Sequence, residues 1–269
     1  MKTGRPRVMG IVNVTADSFS DGGQFLDAGA AIAHGRLLAH EGADLVDVGG
    51  ESTRPGATAV ALEEELRRVL PVVETLAREG IAVSVDTMKP EVMRASIAAG
   101  AAMVNDVSGF RAPGAIETVA SSKAAVCVMH MKGTPETMQA EPFYDDVVRE
   151  VAAFLAERAR ALEGAGVAKE RIVVDPGFGF GKTRAHNIQL MRGLPAIAAL
   201  GYPVLAGLSR KRTIGDITGR PVSERVAGSV AAALVAVQNG ASMVRVHDVK
   251  ETVDALKVWW EFEGEKRGP

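Results

Sequence analysis

The sequence predicts an α/β fold, a single (β/α)8 TIM barrel over residues 1–269, with its active site at the C-terminal ends of the strands. Three observations predict it. The length lies close to the roughly 250 residues typical of that barrel. Apolar runs short enough for strands alternate eight times with stretches of helical periodicity. Three of the junctions repeat one phrase: Gly42-Ala-Asp-Leu-Val-Asp-Val48, Gly100-Ala-Ala-Met-Val-Asn-Asp106 and Gly240-Ala-Ser-Met-Val-Arg-Val246.

Each copy of the phrase follows an Ala-rich helical stretch, and glycine is the usual residue just past a helix end. A β-prone run comes next. Looser copies begin at Gly80 and Gly201. The predicted strands lie near 8–14, 43–49, 81–86, 101–106, 124–129, 171–175, 203–207 and 242–247. Their runs are apolar on both faces, as parallel strands covered by helices should be. Leu62, Leu66, Val69, Leu70, Val73 and Leu76 mark the apolar stripe of one covering helix. Asp248 with Glu251 reads as a capping box opening the last helix, whose inner face would carry Leu256 and Trp260. The segment Val226 to Val237 is apolar almost all round, so it is expected to be buried or to form an interface. Eight alternations with no Pro/Ser-rich linker between them favour one closed barrel over an open doubly wound sheet.

Composition narrows the function classes. Apolar residues make up 47% of the chain and charged residues 24%, ordinary for a globular protein. A net charge of −2 argues against a general nucleic-acid binder, which needs a cationic excess to neutralise phosphates. The lone Cys127 allows neither an internal disulfide nor a zinc-holding cysteine cluster, in keeping with a reducing cytoplasm. The opening MKTGRPRVMGIVNV is too short and too soon polar for a secretory signal. The longest mostly apolar run falls short of the roughly 18–20 residues of a membrane span.

Chemistry in such barrels collects where the strands end. Here the ends are Asn13, Gly49-Gly-Glu-Ser-Thr-Arg-Pro-Gly56, Asp86, Asn105-Asp106, Met129-His130, Asp175, Gly207-Leu-Ser-Arg-Lys211 and Arg245-Val-His-Asp248. Asp86, Asn105, Asp106 and Asp175 form an acceptor-rich set suited to a flat, donor-rich heterocycle such as an aminopyrimidine. Asn13, Arg54, Lys211, Arg245 and His247 form a donor and cationic set suited to a phosphate or diphosphate. The methionines are read first as packing residues, with Met129, at a strand end, also a candidate for the floor of a pocket. The sharper motifs fail: Gly177-Phe-Gly-Phe-Gly-Lys-Thr183 has Pro176 where a P-loop needs its first glycine. No Gly-x-Ser-x-Gly elbow surrounds Ser209, and no His-Glu-x-x-His occurs.

Met9-Gly-Ile-Val-Asn-Val-Thr-Ala-Asp-Ser-Phe-Ser-Asp-Gly-Gly23 resembles the opening signature of the dihydropteroate synthases, and Asp47-Val-Gly-Gly-Glu-Ser-Thr-Arg-Pro-Gly-Ala57 their second. Ser84-Val-Asp-Thr87, Asn105-Asp-Val-Ser-Gly109, Asp175-Pro-Gly-Phe-Gly-Phe-Gly-Lys182, Gly207-Leu-Ser-Arg-Lys211 and Arg245-Val-His-Asp248 match in order. One departure is Ala16, where the family usually has Pro.

The resemblance implies a transferase of folate biosynthesis, a sulfonamide target, acting as a cytoplasmic homodimer with Mg2+. It would join p-aminobenzoate to 6-hydroxymethyl-7,8-dihydropterin diphosphate. Carried over by motif, Asp86, Asn105, Asp106, Met129, Asp175 and Lys211 would hold the pterin, with Arg245 stacking on its face. Asn13, Arg245 and His247 would hold the diphosphate, Asn13 also the metal. Thr53, Arg54, Pro55, Phe180 and Ser209 would receive p-aminobenzoate, and Asp17 would stabilise a developing methylene cation. Asp17, Asn13, Lys211, Arg245 and His247 are thus the expected catalytic set. Two rivals share the pterin set: a pterin-binding methyltransferase barrel, which needs no diphosphate clamp, and a catalytically silent pterin-binding protein.

Overall fold

The computed structural model describes residues 5–14, 24–54 and 56–264. In chain order its strands and α-helices are β1 (Arg7–Asn13), α1 (Gln24–His40), β2 (Leu45–Gly49), α2 (Leu62–Arg78), β3 (Val83–Asp86), α3 (Pro90–Ala98), β4 (Met103–Asp106), α4 (Ala115–Ala120), β5 (Ala125–Met129), α5 (Val147–Gly164), β6 (Ile172–Asp175), α6 (Arg184–Arg192), α7 (Leu194–Ala198), β7 (Leu205–Ala206), α8 (Arg212–Thr218), α9 (Val226–Gln238), β8 (Met243–Val246) and α10 (Val249–Trp259). The strands pair in parallel in the order β6-β5-β4-β3-β2-β1-β8-β7. A bridge between Val174 and Val204 joins the two ends, with the Val174 N–H donating to Pro203 O at 2.9 Å. The predicted barrel is therefore present, with its thinnest seam between β6 and β7.

The repeated phrase has a physical origin. Gly42, Gly100 and Gly240 adopt φ of 101°, 104° and 105°. The alanine after each donates back to Leu38, Ser96 or Ala236 O, the 6→1 bond of a Schellman helix end. Gly-Ala thus belongs to the helix stop, and β2, β4 and β8 begin later than the apolar runs suggested.

Successive strand residues face opposite sides of the sheet. Met9, Leu45, Met103, Cys127, Val173, Leu205 and Met243 are buried against one another inside the barrel. Alternate residues such as Val8, Val46, Val104, Val126, Val174 and Val244 pack with the surrounding helices. On β1 the outward position is Gly10, where a Cβ would lie 3.0 Å from both Leu38 and Val249; its absence lets α1 and α10 close onto the strand.

Two expectations for the last helix are corrected. Asp248 stands at the N-cap of α10 but makes no side-chain cap bond, because its carboxylate is taken by Arg210. The buried face of α10 carries Val249, Thr252, Val253, Leu256 and Trp259, leaving Trp260 only half-buried beyond the helix end. On α9, Ser229, Ala233, Ala236 and Val237 are buried, whereas Ala227, Ala231 and Val235 form an exposed small-residue stripe.

Candidate active site

Moving along the strands from the inner apolar layer, the same faces turn polar. Asp47 follows Leu45, Asn105 follows Met103, Asp175 follows Val173 and Arg245 follows Met243, each at the two-residue period. Asp86 pairs in register with Asn105 on one side and Gly49 on the other. Asp47 is fully buried. Its Oδ2 accepts from Arg245 Nε at 2.6 Å and from Asn105 Nδ2 at 3.1 Å, and Arg245 Nη2 donates to Asp86 Oδ2 at 2.9 Å. One guanidinium thus ties β8 to β2 and β3 across the barrel mouth.

The remaining acceptors face inward without donors. Asp47 Oδ1, Asp86 Oδ1 and Asn105 Oδ1 are buried and find no partner within the protein. An unmet buried polar atom costs about 1–3 kcal/mol, so these three oxygens call for donors from outside the protein chain. Asp175 Oδ1 accepts from the Gly177 N–H at 2.7 Å.

Charge and burial set the protonation states. Burial pushes Asp86 up to about 7; Arg245 opposes this, while Asp47 adds to it. Burial also raises Asp175, against the pull of Lys211. Lys211 falls to about 8, chiefly through burial, with Asp175 resisting. Burial works against the Arg245 cation as well, but Asp47 and Asp86 outweigh it and raise its pKa. Lys211 Nζ donates to Phe178 O and lies 4.6 Å from the centre of the Phe180 ring. Burial, then Arg245 and Arg210, hold His247 down at about 4, so at neutral pH it is an uncharged imidazole. Its Nδ1 lies 3.0 Å from Ser209 Oγ, which also accepts from the His247 N–H at 3.1 Å.

The site can be compared with known proteins. Residues 9–247 match the family described as pterin binding enzyme. The Escherichia coli dihydropteroate synthase is 50% identical over 254 residues, which span 94% of this chain and 90% of that protein. A Xanthomonas albilineans dihydropteroate synthase solved with 4-aminobenzoic acid superposes with a TM-score of 0.91 at 60% identity, covering 96% of this chain and 93% of that one. A structure of the enzyme from that organism with 7,8-dihydropteroate gives 0.87 at 57% identity, over 96% and 94%. The chain belongs to the dihydropteroate synthase family.

The remaining family motifs fall into place unevenly. Met129 is buried with Val107, Met131 and Met138, and Phe180 packs against this apolar patch beside the acceptors. Thr53 is half-buried and Arg54 exposed. Arg54 nevertheless contributes to lowering the His247 pKa. Asn13 ends β1 half-buried, paired in register with Gly49. Asp106 points elsewhere: its oxygens accept from the Ser108 and Phe110 N–H groups, both at 2.7 Å, so it braces its own loop. Asp17, Ala16 and Pro55 lie outside the described residues.

Several working residues of this dihydropteroate synthase family member escaped the strand-end reading. Asp47 is one, although the repeated phrase aligns it with Asn105 and Arg245, the residues it binds. Lys182 is another. Its buried ammonium contacts Gly177 O at 2.9 Å, Phe180 O at 3.0 Å and His130 Nδ1 at 3.0 Å, holding the sixth loop in shape. Burial, with Lys182 alongside, pushes His130 down to about 3, so that ring serves as a neutral structural partner. Gly177 (φ 67°) is obligatory there, since a Cβ would lie 2.0 Å from His130 O. A third group steadies the second loop: Lys89 Nζ bridges Glu51 and Glu65, each at 2.5 Å, and Thr87 Oγ1 donates to Glu65. Glu65 sits among acidic neighbours at the start of α2, so nothing local distinguishes it.

Proposed function

We propose that this chain condenses p-aminobenzoate with 6-hydroxymethyl-7,8-dihydropterin diphosphate, giving 7,8-dihydropteroate and diphosphate. The observation that carries the reading is the pair of donor-less buried acceptors on Asp86 and Asn105 beside Lys211 and Arg245. An aminopyrimidine edge supplies the missing N–H donors, and the cations balance anionic groups at the other end of the ligand.

In this reading Asp86, Asn105, Asp175 and Lys211 orient the pterin over Met129, and Arg245 stacks on its face. Asp106 contributes by shaping its loop. Asn13, Arg245 and neutral His247 bind the diphosphate. Thr53, Arg54, Pro55, Phe180 and Ser209 receive p-aminobenzoate, with Arg54 and Ser209 at its carboxylate. The C–O bond to diphosphate breaks and its electron pair leaves with the phosphate oxygen. The dihydropterin ring delocalises the methylene cation, which Asp17 stabilises. The neutral aryl amine then forms the C–N bond, and its excess proton passes to water. Electrostatic stabilisation of the leaving oxygens supplies most of the catalysis.

Mg2+ is the metal this family implies. Among the described residues no group of three His, Cys, Asp or Glu could hold a metal ion. Asn13 offers a neutral amide oxygen, which fits a cation that takes most of its oxygens from substrate phosphates and water. When bound, Mg2+ would neutralise charge on the diphosphate.

The reading extends to one pterin-binding barrel domain and to a homodimer. The stripe Ala227, Ala231 and Val235, with Val222 58% exposed nearby in sequence, is the face proposed to meet a second copy. Among the described residues no helix is long and apolar enough to cross a membrane. The proposed location is the cytoplasm.

Turnover tests the function. The purified chain with the pterin diphosphate, p-aminobenzoate and Mg2+ should release dihydropteroate and diphosphate in equal amounts. Pterin binding without either product would overturn it in favour of a silent or methyl-transferring barrel.

A further inference from the structure

Between β7 and α8 the chain runs through Ser209, Arg210 and Lys211. Arg210 has φ 58°, a left-handed conformation that side-chain-bearing residues rarely adopt; Phe110 is the other such residue among those described. It is held there from several sides. Its N–H donates to Ser229 Oγ at 2.9 Å, and its carbonyl accepts from Arg225 Nη1 at 3.0 Å. Its guanidinium grips Asp248 with two bonds, Nε to Oδ2 at 3.1 Å and Nη2 to Oδ1 at 2.5 Å. Asp248 gives up capping α10 to make this contact.

Consecutive residues of the seventh loop thus meet consecutive residues of the eighth: Ser209 with His247, Arg210 with Asp248. The left-handed turn at Arg210 also lets both of its neighbours face the site. Ser209 Oγ reaches His247 on one side, and Lys211 Nζ reaches Phe178 O on the other.

We propose that Arg210 and Asp248 are a positioning pair, whose two-bond contact locks the seventh loop to the eighth and so sets Ser209 and Lys211 in place together. This rests on the reading above, in which Ser209 serves p-aminobenzoate and Lys211 the pterin. The pair acts through those residues rather than on substrate. A bidentate, charge-assisted contact fixes orientation as well as distance, and small misplacements of binding groups have large kinetic effects.

The test compares R210M, D248N, the double variant R210M/D248N and R210G, with S209A and K211M as controls. Thermal melts accompany p-aminobenzoate KM, kcat and calorimetric pterin Kd. R210M and D248N should each raise both the KM and the pterin Kd about tenfold, and the double variant should be no worse than either single one, because the two residues act as a unit. R210G relieves the left-handed backbone, so it should melt above R210M yet bind as poorly. Wild-type constants for D248N, or losses that add in the double variant, would overturn the pair. If S209A and K211M alone raise the constants, the pocket assignment stands whatever the pair does. If those two are silent while D248N is impaired, the pair does not act through them, and the proposal and the pocket assignment fall together.

Discussion

Arg245 and Asp47, 198 residues apart in the chain, meet inside the barrel mouth, with Nε 2.6 Å from a carboxylate that has no solvent exposure. The contact sets where the guanidinium lies and leaves Asp86 sharing it at 2.9 Å. Removing one partner of a buried pair strands the other charge. Asp47→Ala should therefore lower unfolding free energy by about 3 kcal/mol, the low end for such losses because Arg245 keeps some contact with water. Urea denaturation measures it, and a loss under about 1 kcal/mol would show that the pair contributes little.

Asp175 accepts a loop N–H through Oδ1 and remains a candidate acceptor for the pterin. Asp175→Asn should weaken pterin binding by about 1.5–3 kcal/mol, the scale of a hydrogen bond to a charged group. Isothermal calorimetry with unchanged affinity would remove Asp175 from the pterin site.

The pH dependence follows from two shifted groups. On the proposed reading Asp86 must be ionised to accept two donors, and burial has raised it to about 7. Lys211 must be protonated to donate, and burial has lowered it to about 8. The kcat/KM for the pterin substrate should therefore rise through pH 7 and fall above pH 8, a narrow bell. The stability contributions have the opposite sense. That of Asp86 is complete below its ordinary value of 3.8 and is lost as pH rises through about 7. That of Lys211 is complete above 10.5 and is lost as pH falls through about 8. Asp86→Asn should abolish the acid limb; an acid limb that survives in this variant belongs to another group.

The exposed stripe on α9 predicts self-association. Val235 is 42% exposed on an otherwise apolar helix. Val235→Arg places a strongly hydrated charge where a second copy would pack, and should shift sedimentation equilibrium from dimer to monomer with little change in melting. A wild-type chain that sediments as a monomer at micromolar concentration would refute the interface.

Strand ends were legible wherever a polar residue interrupts an apolar run. Asp86, Asn105, Asp175 and Arg245 stand out for that reason, because a charge on an inward strand position needs a partner or a ligand. Asp47 does not stand out at a strand end, and only the repeat, which places it level with Asn105 and Arg245, marks its position. Glu65 is not marked at all, because its burial depends on Thr87 and Lys89 arriving in the loop after β3. Asp248 departs from its expected capping role for a related reason. Its sequence neighbourhood suits a helix cap, but the stronger donor comes from Arg210, 38 residues away.

Periodicity and helix-stop glycines, which are local properties of the chain, were enough to place the eight strands and the faces they bury, and the seven motifs in register were enough for the family resemblance. Tertiary structure alone decided which charges compensate one another. Burial of Asp47, the share of Arg245 held by Asp86, the loop-bracing turn of Asp106 and the grip of Arg210 on Asp248 all depend on barrel closure. Closure brings distant strand ends within hydrogen-bond reach and excludes the water that would otherwise solvate each group separately.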